Sequence, residues 1–225
     1  MNREHILPAD IERTSMAIIT KELEERGITV PEDRAAVVRR VIHTTADFDY
    51  AENLHFTEDA VAKAVERLAQ GGAVIITDTN MALSGVSKPS LKKLDAKAFC
   101  FMAEPEIEKQ AKEQGTTRAV ASMAYGAAHY PEAVFAVGNA PTALLKLEEL
   151  IEEGLRPSLI IGVPVGFVNV VESKEQIFAV CEKYQIPAIV AFGRKGGSNV
   201  AAAITNALLY TAADTLDPGR RGWQG

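Results

Sequence analysis

The sequence predicts a doubly wound α/β fold on a parallel β-sheet, and three observations carry that prediction. Five short apolar runs are nearly continuous in hydrophobicity, as in strands buried on both faces. Helical stretches separate the runs, and strand–helix repetition lays such strands parallel with crossovers between them. A block of amphipathic helices precedes the first run. The 225 residues, 47% hydrophobic and 24% charged, suit one globular domain. That domain is expected to span 1–225, with N-terminal helices over about 8–71, the sheet core over about 72–214 and a tail over 215–225.

The first helix follows Pro8. In DIERTSMAIITKELEERG, Ile11, Ser15, Ile18, Ile19, Glu22 and Leu23 trace one face, and Gly27 supplies the stop. Ser15 interrupts the apolar stripe, so its hydroxyl either bonds back to the helix or faces a pocket. A second helix starts at Pro31 and runs through Val37, Val38, Val41 and Ile42 to about His43. A third takes Thr57 as N-cap, carries Glu58 and Asp59 in its first turn and ends at Gly71-Gly72. The strand runs are AVIITD (73–78), AFCFM (98–102), AVFAVG (133–138), LIIGVPV (159–165) and AIVAFG (188–193). Helices are expected over 105–114, 142–153, 173–184 and 198–213. The expectation is five parallel strands in flavodoxin-like order, with the N-terminal helices packed on or beside them. The tail, DPGRRGWQG, is predicted to lie loosely on the surface or against a partner subunit.

A net charge of −6 argues against nucleic-acid and anionic-membrane partners but leaves a local basic pocket open. No apolar run approaches a membrane span, and MNREHILPADIERTSM lacks the apolar core of a signal peptide, so a cytoplasmic location is expected. Cys100 and Cys181 sit in apolar contexts without metal-ligand spacing and are read as buried, reduced thiols.

Ligands in doubly wound folds bind outside the carboxyl ends of the strands. Those loops are rich in small and polar residues here. The first strand is followed by Thr77-Asp78-Thr79-Asn80-Met81 and Ser84-Gly85-Val86-Ser87-Lys88. The third delivers Gly138-Asn139-Ala140, the fourth Pro164-Val165-Gly166-Phe167, and the fifth Gly193-Arg194-Lys195-Gly196-Gly197-Ser198. Any one loop is ordinary turn punctuation. Three of them, with cations and a helix start in the last, favour a pocket for an anionic ligand. Arg118 is a further cation at a helix start. Asp78 either orients a substrate or pairs with a neighbouring cation. A large apolar polycarboxylate would match the arginines, the backbone donors, Met81 and Phe167.

The usual catalytic signatures are missing: no Walker A, G-x-G-x-x-G, HExxH or G-x-S-x-G is present. Acid–base chemistry by a histidine remains, and the candidate is His43, within Arg39-Arg40-Val41-Ile42-His43-Thr44-Thr45. His55 and His129 fall in contexts that suit packing, and His5 lies in the N-terminal segment.

At these residues the chain resembles the precorrin-8X methylmutase family of corrin-ring biosynthesis. The stretches that carry the resemblance include ERTSM, VVRRVIHTTADF, ITDTNM, SGVSK, TTRA, VGNAPTAL, IIGVPVGFVNVVESKE and GRKGGSNVAAA, in order over nearly the whole chain. The resemblance implies a cofactor-free 1,5-sigmatropic methyl shift from C-11 to C-12 of precorrin-8, or of cobalt-precorrin-8 with the metal carried by the substrate. His43 is then the proton donor/acceptor. Substrate contacts are expected at Ser15, Arg40, Asp78, Met81, Ser87, Arg118, Gly138, Asn139, Ala140, Gly166, Phe167, Arg194, Lys195, Gly196 and Gly197. Where the family often has threonine followed by arginine, this chain has Ser87-Lys88, which keeps the charge but loses arginine's bidentate fork. HTTADFDYAENLHF looks more like the cobalt-early members. The resemblance also implies a homodimer and possible hand-off of the corrin product to neighbouring enzymes. A non-catalytic corrinoid carrier is the competing class.

Overall fold

The computed structural model describes residues 8–221. The chain opens with an antiparallel pair of helices, α1 (Pro8–Glu25) and α2 (Glu32–Thr45), followed by the single turn α3 (Tyr50–Asn53), strand β1 (Leu54–Phe56) and helix α4 (Ala60–Ala69). The alternating part comprises β2 (Val74–Thr77), α5 (Asn80–Gly85), α6 (Lys88–Lys93), β3 (Lys97–Phe99), α7 (Pro105–Glu113), α8 (Arg118–His129) and β4 (Val134–Val137). It continues with α9 (Pro141–Glu152), β5 (Leu159–Gly162), α10 (Val170–Lys183), β6 (Ala188–Ala191) and α11 (Ser198–Ala212), and a 3₁₀ turn (Pro218–Arg221) closes it. No helix among these residues is long and apolar enough to cross a membrane.

Among the described residues the sheet has six strands in the order β1-β6-β5-β4-β2-β3. Strands β2 to β6 are mutually parallel, each formed from one of the five apolar runs. The sixth corrects the all-parallel expectation: β1 lies antiparallel on the β6 edge, with His55 opposite Val190. Three residues of Leu-His-Phe carry too little periodicity to announce a strand. Its packing is specific nonetheless, because the His55 ring stacks on Phe192 at 4.0 Å between centroids. Thr57 is also corrected. Rather than capping α4, its hydroxyl accepts from the Ala188 N–H at 2.8 Å and donates to the Ile186 carbonyl at 3.2 Å, tying β1 to β6.

Two apolar layers sandwich the sheet. One buries Ile75, Ala136, Ile161 and Ile189 beneath α2, α4 and α11. The other buries Phe135, Ile160 and Val190 beneath α8, α9 and α10. Helix α11 is buried almost all round, since α2, α4 and α5 all pack against it. Its alanines permit that close approach: a Cβ on Gly85 of α5 would come within 2.7 Å of the Ala202 Cβ. Helix α11 is therefore the spine connecting the strand-end loops to α2.

The tail departs from the loose segment expected. Arg13 of α1 grips Asp217 through Nε at 3.0 Å and Nη2 at 2.7 Å, and Arg221 docks against α1 as described below. Residues 222–225 and His5 lie outside the described residues.

Candidate active site

Helix α2 places Arg40 and His43 one turn apart on the same side. Arg40 reaches Glu12 of α1, Nη2 to Oε1 at 2.5 Å. Arg221 approaches the same carboxylate from the tail, with Nη1 at 2.8 Å from both oxygens. Its remaining donors are used on the carbonyls of Thr215 (2.8 Å) and Leu216 (2.7 Å). The Tyr210 ring of α11 lies under both guanidiniums, 3.8 Å from Arg221 and 5.2 Å from Arg40. Two guanidiniums thus share one carboxylate, leaving one uncancelled positive charge. Burial alone would raise the Glu12 carboxyl, but its bonds to the two arginines hold it below its ordinary value.

His43 stands on the solvent side of this cluster. Partial burial first, then Arg40 and Arg221, hold its pKa below the ordinary 6.5, with Glu12 in partial opposition. The imidazole is therefore neutral at neutral pH, with one nitrogen able to accept a proton and the other to donate one. Burial together with the arginines outweighs Glu12 at His43 before any ligand carboxylate arrives.

A cavity of about 220 Å³ adjoins the cluster and shares Tyr210 and Arg221 with it; Ser87, Ser90, Lys93 and Asn206 complete much of its wall. Ser87 caps α6, accepting from the Ser90 N–H at 3.4 Å, while its own N–H donates to Asn206 Oδ1 at 2.8 Å. The Asn206 amide in turn donates to the Gly85 carbonyl at 2.8 Å. Helix α11 thus brings Ser87 and the His43 cluster together. A space of this size suits a ring substituent rather than a macrocycle.

The strand-end loops meet at the other end of α11. Asp78 is fully buried, and its carboxylate accepts from the N–H groups of Gly138 (2.9 Å), Asn139 (2.8 Å) and Ala140 (2.8 Å). Among the described residues it pairs with no cation, and its carboxylate is engaged by backbone donors. It braces the 138–140 loop. Burial raises its pKa, and the three backbone donors counter that in part. Gly138 packs on α11 so tightly that a Cβ would fall 2.7 Å from the Ser198 Cα. Thr79 and Ser198 join hydroxyl to hydroxyl at 2.8 Å. A Cβ on Gly196 would overlap the Val163 carbonyl oxygen, and Gly197, at φ +139°, holds a conformation that side chains rarely adopt.

Of the two loop cations only Arg194 is without a carboxylate partner among the described residues. It lies over the Phe167 ring at 5.5 Å. Lys195 donates to Asp47 and Asp49, both at 2.6 Å, so its charge is spent on α2's C-terminal segment rather than offered as a free anion contact. Phe167 and Met81, 83% and 73% exposed, form an apolar rim too open to be core. Gly166, at φ +149°, passes its N–H to the Arg194 carbonyl at 3.4 Å.

Two further predicted residues stand apart. The Ser15 hydroxyl bonds back to the Ile11 carbonyl at 2.9 Å, one of its two open readings. Arg118 begins α8, exposed, behind the N-cap Thr117. Its helix packs on the opposite face of the sheet from α2. Reading the sequence missed Glu12, Tyr210 and Arg221, which converge only through the fold. It also missed Lys174, whose buried ammonium donates to two carbonyls of the 193–195 loop. Among the described residues no group of three His, Cys, Asp or Glu side chains is arranged to hold a metal ion.

A family model described as CbiC, precorrin-8X methylmutase, matches residues 10–211. The chain belongs to the precorrin-8X methylmutase family. A cobalt-precorrin-8 methylmutase of Salmonella typhimurium is 42% identical over 210 residues, 90% of this chain and 95% of that one. A precorrin-8X methylmutase of Pseudomonas aeruginosa is 37% identical, covering 88% and 93%. The crystal structure of precorrin-8X methylmutase from Thermus thermophilus superposes with a TM-score of 0.81 at 37% identity, over 91% and 98% of the two chains. The family match takes in Glu12, Arg40, His43 and every strand-end loop. Arg221, which completes the methylmutase's cationic cluster, lies beyond the matched span.

Proposed function

We propose that this methylmutase moves a methyl group from C-11 to C-12 of precorrin-8 or cobalt-precorrin-8 by a 1,5-sigmatropic shift, yielding hydrogenobyrinic or cobyrinic acid, with His43 as proton donor/acceptor. The shift breaks one carbon–methyl bond and makes another within the same molecule, so nothing is oxidised and no group leaves. What it requires is a proton lent to or taken from the conjugated ring and later returned, in a cavity shaped to the product. The observation that carries this reading is a neutral, solvent-facing histidine beside a cluster with one uncancelled positive charge. Carboxylate arms drawn to that charge would set the macrocycle against His43.

In this reading the 220 Å³ cavity at Ser87 takes one ring substituent. Arg40, Arg194 and the Gly196 N–H meet other carboxylates, Gly197 shapes the turn that presents them, and Met81, Phe167 and the 138–140 loop border the macrocycle. Ser15 and Arg118 contact substrate only if it extends to them or if a second copy of the chain supplies them. A homodimer is part of the proposal, supported by exposed Ile11 and Ile18 on α1 and Leu216 beside it. The order of the five parallel strands supports a flavodoxin-like core. Two relatives named for the cobalt-bearing substrate are 42% and 41% identical, against 37% and 33% for two named for the metal-free one, although four further cobalt-named relatives lie at 36–38%; the two highest of these identities lean toward cobalt-precorrin-8. We further propose that turnover takes place in the cytoplasm, needs no added cofactor, and ends with product held for hand-off.

The test is to follow the absorption spectrum when enzyme treated with a chelator meets precorrin-8, with and without bound cobalt. Single-turnover conversion supports a methylmutase, and binding without a spectral change to product would instead indicate a carrier. Normal turnover by His43→Ala would remove the assigned role.

A further inference from the structure

Lys174 is an unusual residue to find under a ligand-facing loop. Its side chain is completely buried on α10, and among the described residues no carboxylate is paired with it. Burying an ammonium without a counter-charge is costly unless hydrogen bonds compensate. Here Nζ donates to the Gly193 carbonyl at 2.9 Å and to the Lys195 carbonyl at 2.8 Å. The carbonyl between them, that of Arg194, accepts from Gly166, and the Gly197 N–H donates to Val163 at 2.9 Å. The three consecutive carbonyls are thus each held, those of Gly193 and Lys195 by buried Lys174 and that of Arg194 by Gly166 of the neighbouring loop, which fixes the turn that leads through Gly196 and Gly197 into α11.

We propose that Lys174 is a positioning residue for corrin binding: its buried ammonium fixes the 193–197 turn so that Arg194 and the α11 N-terminus face the substrate carboxylates. This rests on the reading that the loop faces the corrin.

The charged groups around Lys174 leave it otherwise uninfluenced. Glu172 and Glu175 of its own helix are exposed. On α9, Lys146 pairs with Glu149, and Glu152 pairs with Lys183. The loop sends Arg194 over Phe167 and Lys195 to Asp47 and Asp49, while His55, beyond β6, stacks on Phe192. Burial alone lowers the Lys174 pKa, to about 8. Its ammonium is therefore lost within a range where the enzyme can be assayed, and a neutral amine is the weaker donor.

Two opposed pH effects follow. The unfolded chain keeps a protonated lysine up to its ordinary 10.5, so between about 8 and 10.5 it binds more protons than the folded one, and stability attributable to Lys174 rises with pH. Affinity for the product should fall as pH rises through about 8, where the folded protein loses the ammonium and the turn loosens. A purely structural lysine would give the first effect without the second.

The experiment measures hydrogenobyrinic acid binding and unfolding midpoints from pH 7 to 9 for the wild type, Lys174→Met and Arg194→Ala, with KM and kcat for the same three. Arg194→Ala should weaken binding about tenfold, as expected for one lost charge-assisted contact. Lys174→Met should raise KM and product Kd about tenfold while kcat changes far less, and its affinity should no longer decline with pH. Unchanged binding in Arg194→Ala overturns both the loop reading and this proposal. Weaker binding in Arg194→Ala with unchanged binding in Lys174→Met overturns the role of Lys174 alone. The wild-type measurement needs no variant to fold, and a pH-independent affinity from pH 7 to 9 would also overturn the proposal.

Discussion

His43 lies at the edge of a charge arrangement whose sign matters more than its distance from any single group. Arg40 and Arg221 are satisfied by Glu12, yet they add to partial burial, the larger cause, in holding the imidazole below its ordinary pKa. Replacing His43 with Ala should slow single-turnover conversion of precorrin-8 by roughly 10²–10⁴-fold, the usual contribution of a positioned acid–base group, while product affinity changes little. Stability carries a second signature. Because the folded pKa lies below 6.5, the unfolded chain takes up the proton first as pH falls, so stability drops as pH descends from 6.5 toward the folded value. Unfolding curves at pH 7 and pH 5 should show that loss in the wild type and a smaller loss in His43→Gln. Glu12→Gln tests the cluster itself. It leaves two largely buried guanidiniums without their counter-charge, and a loss of about 1–3 kcal/mol in unfolding free energy is expected. The same change should move the His43 titration, followed by NMR, further down, since the group that opposes the shift has been removed.

At the scale of elements, the geometry depends on loops whose backbones touch. The 138–140 turn is held by Asp78 and packs onto Ser198; the 193–197 turn is held by Lys174 and packs onto Val163. Gly196→Ala should therefore cost about 1–3 kcal/mol or more, since a methyl group there must displace a carbonyl rather than a flexible side chain. A lowered thermal midpoint together with weakened product binding is the expected result. The five parallel strands were legible because continuous apolar runs have few alternatives in a chain of this pattern. Strand β1 was not, being three residues long with a histidine at its centre, and α5 and α6 read as loop because each is a six-residue segment. Of their caps, Thr79 was noticed only as a polar loop residue and Ser87 as a substrate contact, neither as a helix cap. The site was legible wherever a loop follows a strand. It was illegible wherever a charge is cancelled by a distant one, as at Lys195 with Asp47 and Asp49, or where Arg221 crosses the chain to Glu12.

On the scale of the molecule, α1 presents two faces with different tasks. Ile19 and Leu23 are buried in the core, and Glu12 reaches the cationic cluster, whereas Ile11 and Ile18 are 53% and 58% exposed two turns apart. Leu216, 44% exposed, belongs to the tail that Arg13 and Arg221 fasten to the same helix. In an isologous pair every such side chain is buried twice, and at about 1.5–3 kcal/mol for full burial of each the patch would supply a large part of a dimer's association free energy. Light scattering should then give the mass of two chains, and Ile18→Glu should give a folded monomer with an unchanged far-ultraviolet spectrum. A wild-type mass of one chain would defeat the dimer. The consequence for catalysis follows from the same helix. Pairing would restrain the first turns of α1, and with them Glu12 and the two arginines that help hold the His43 pKa down. Specific activity should accordingly fall on dilution below the dimer dissociation constant, and Ile18→Glu should show that reduced activity at every concentration.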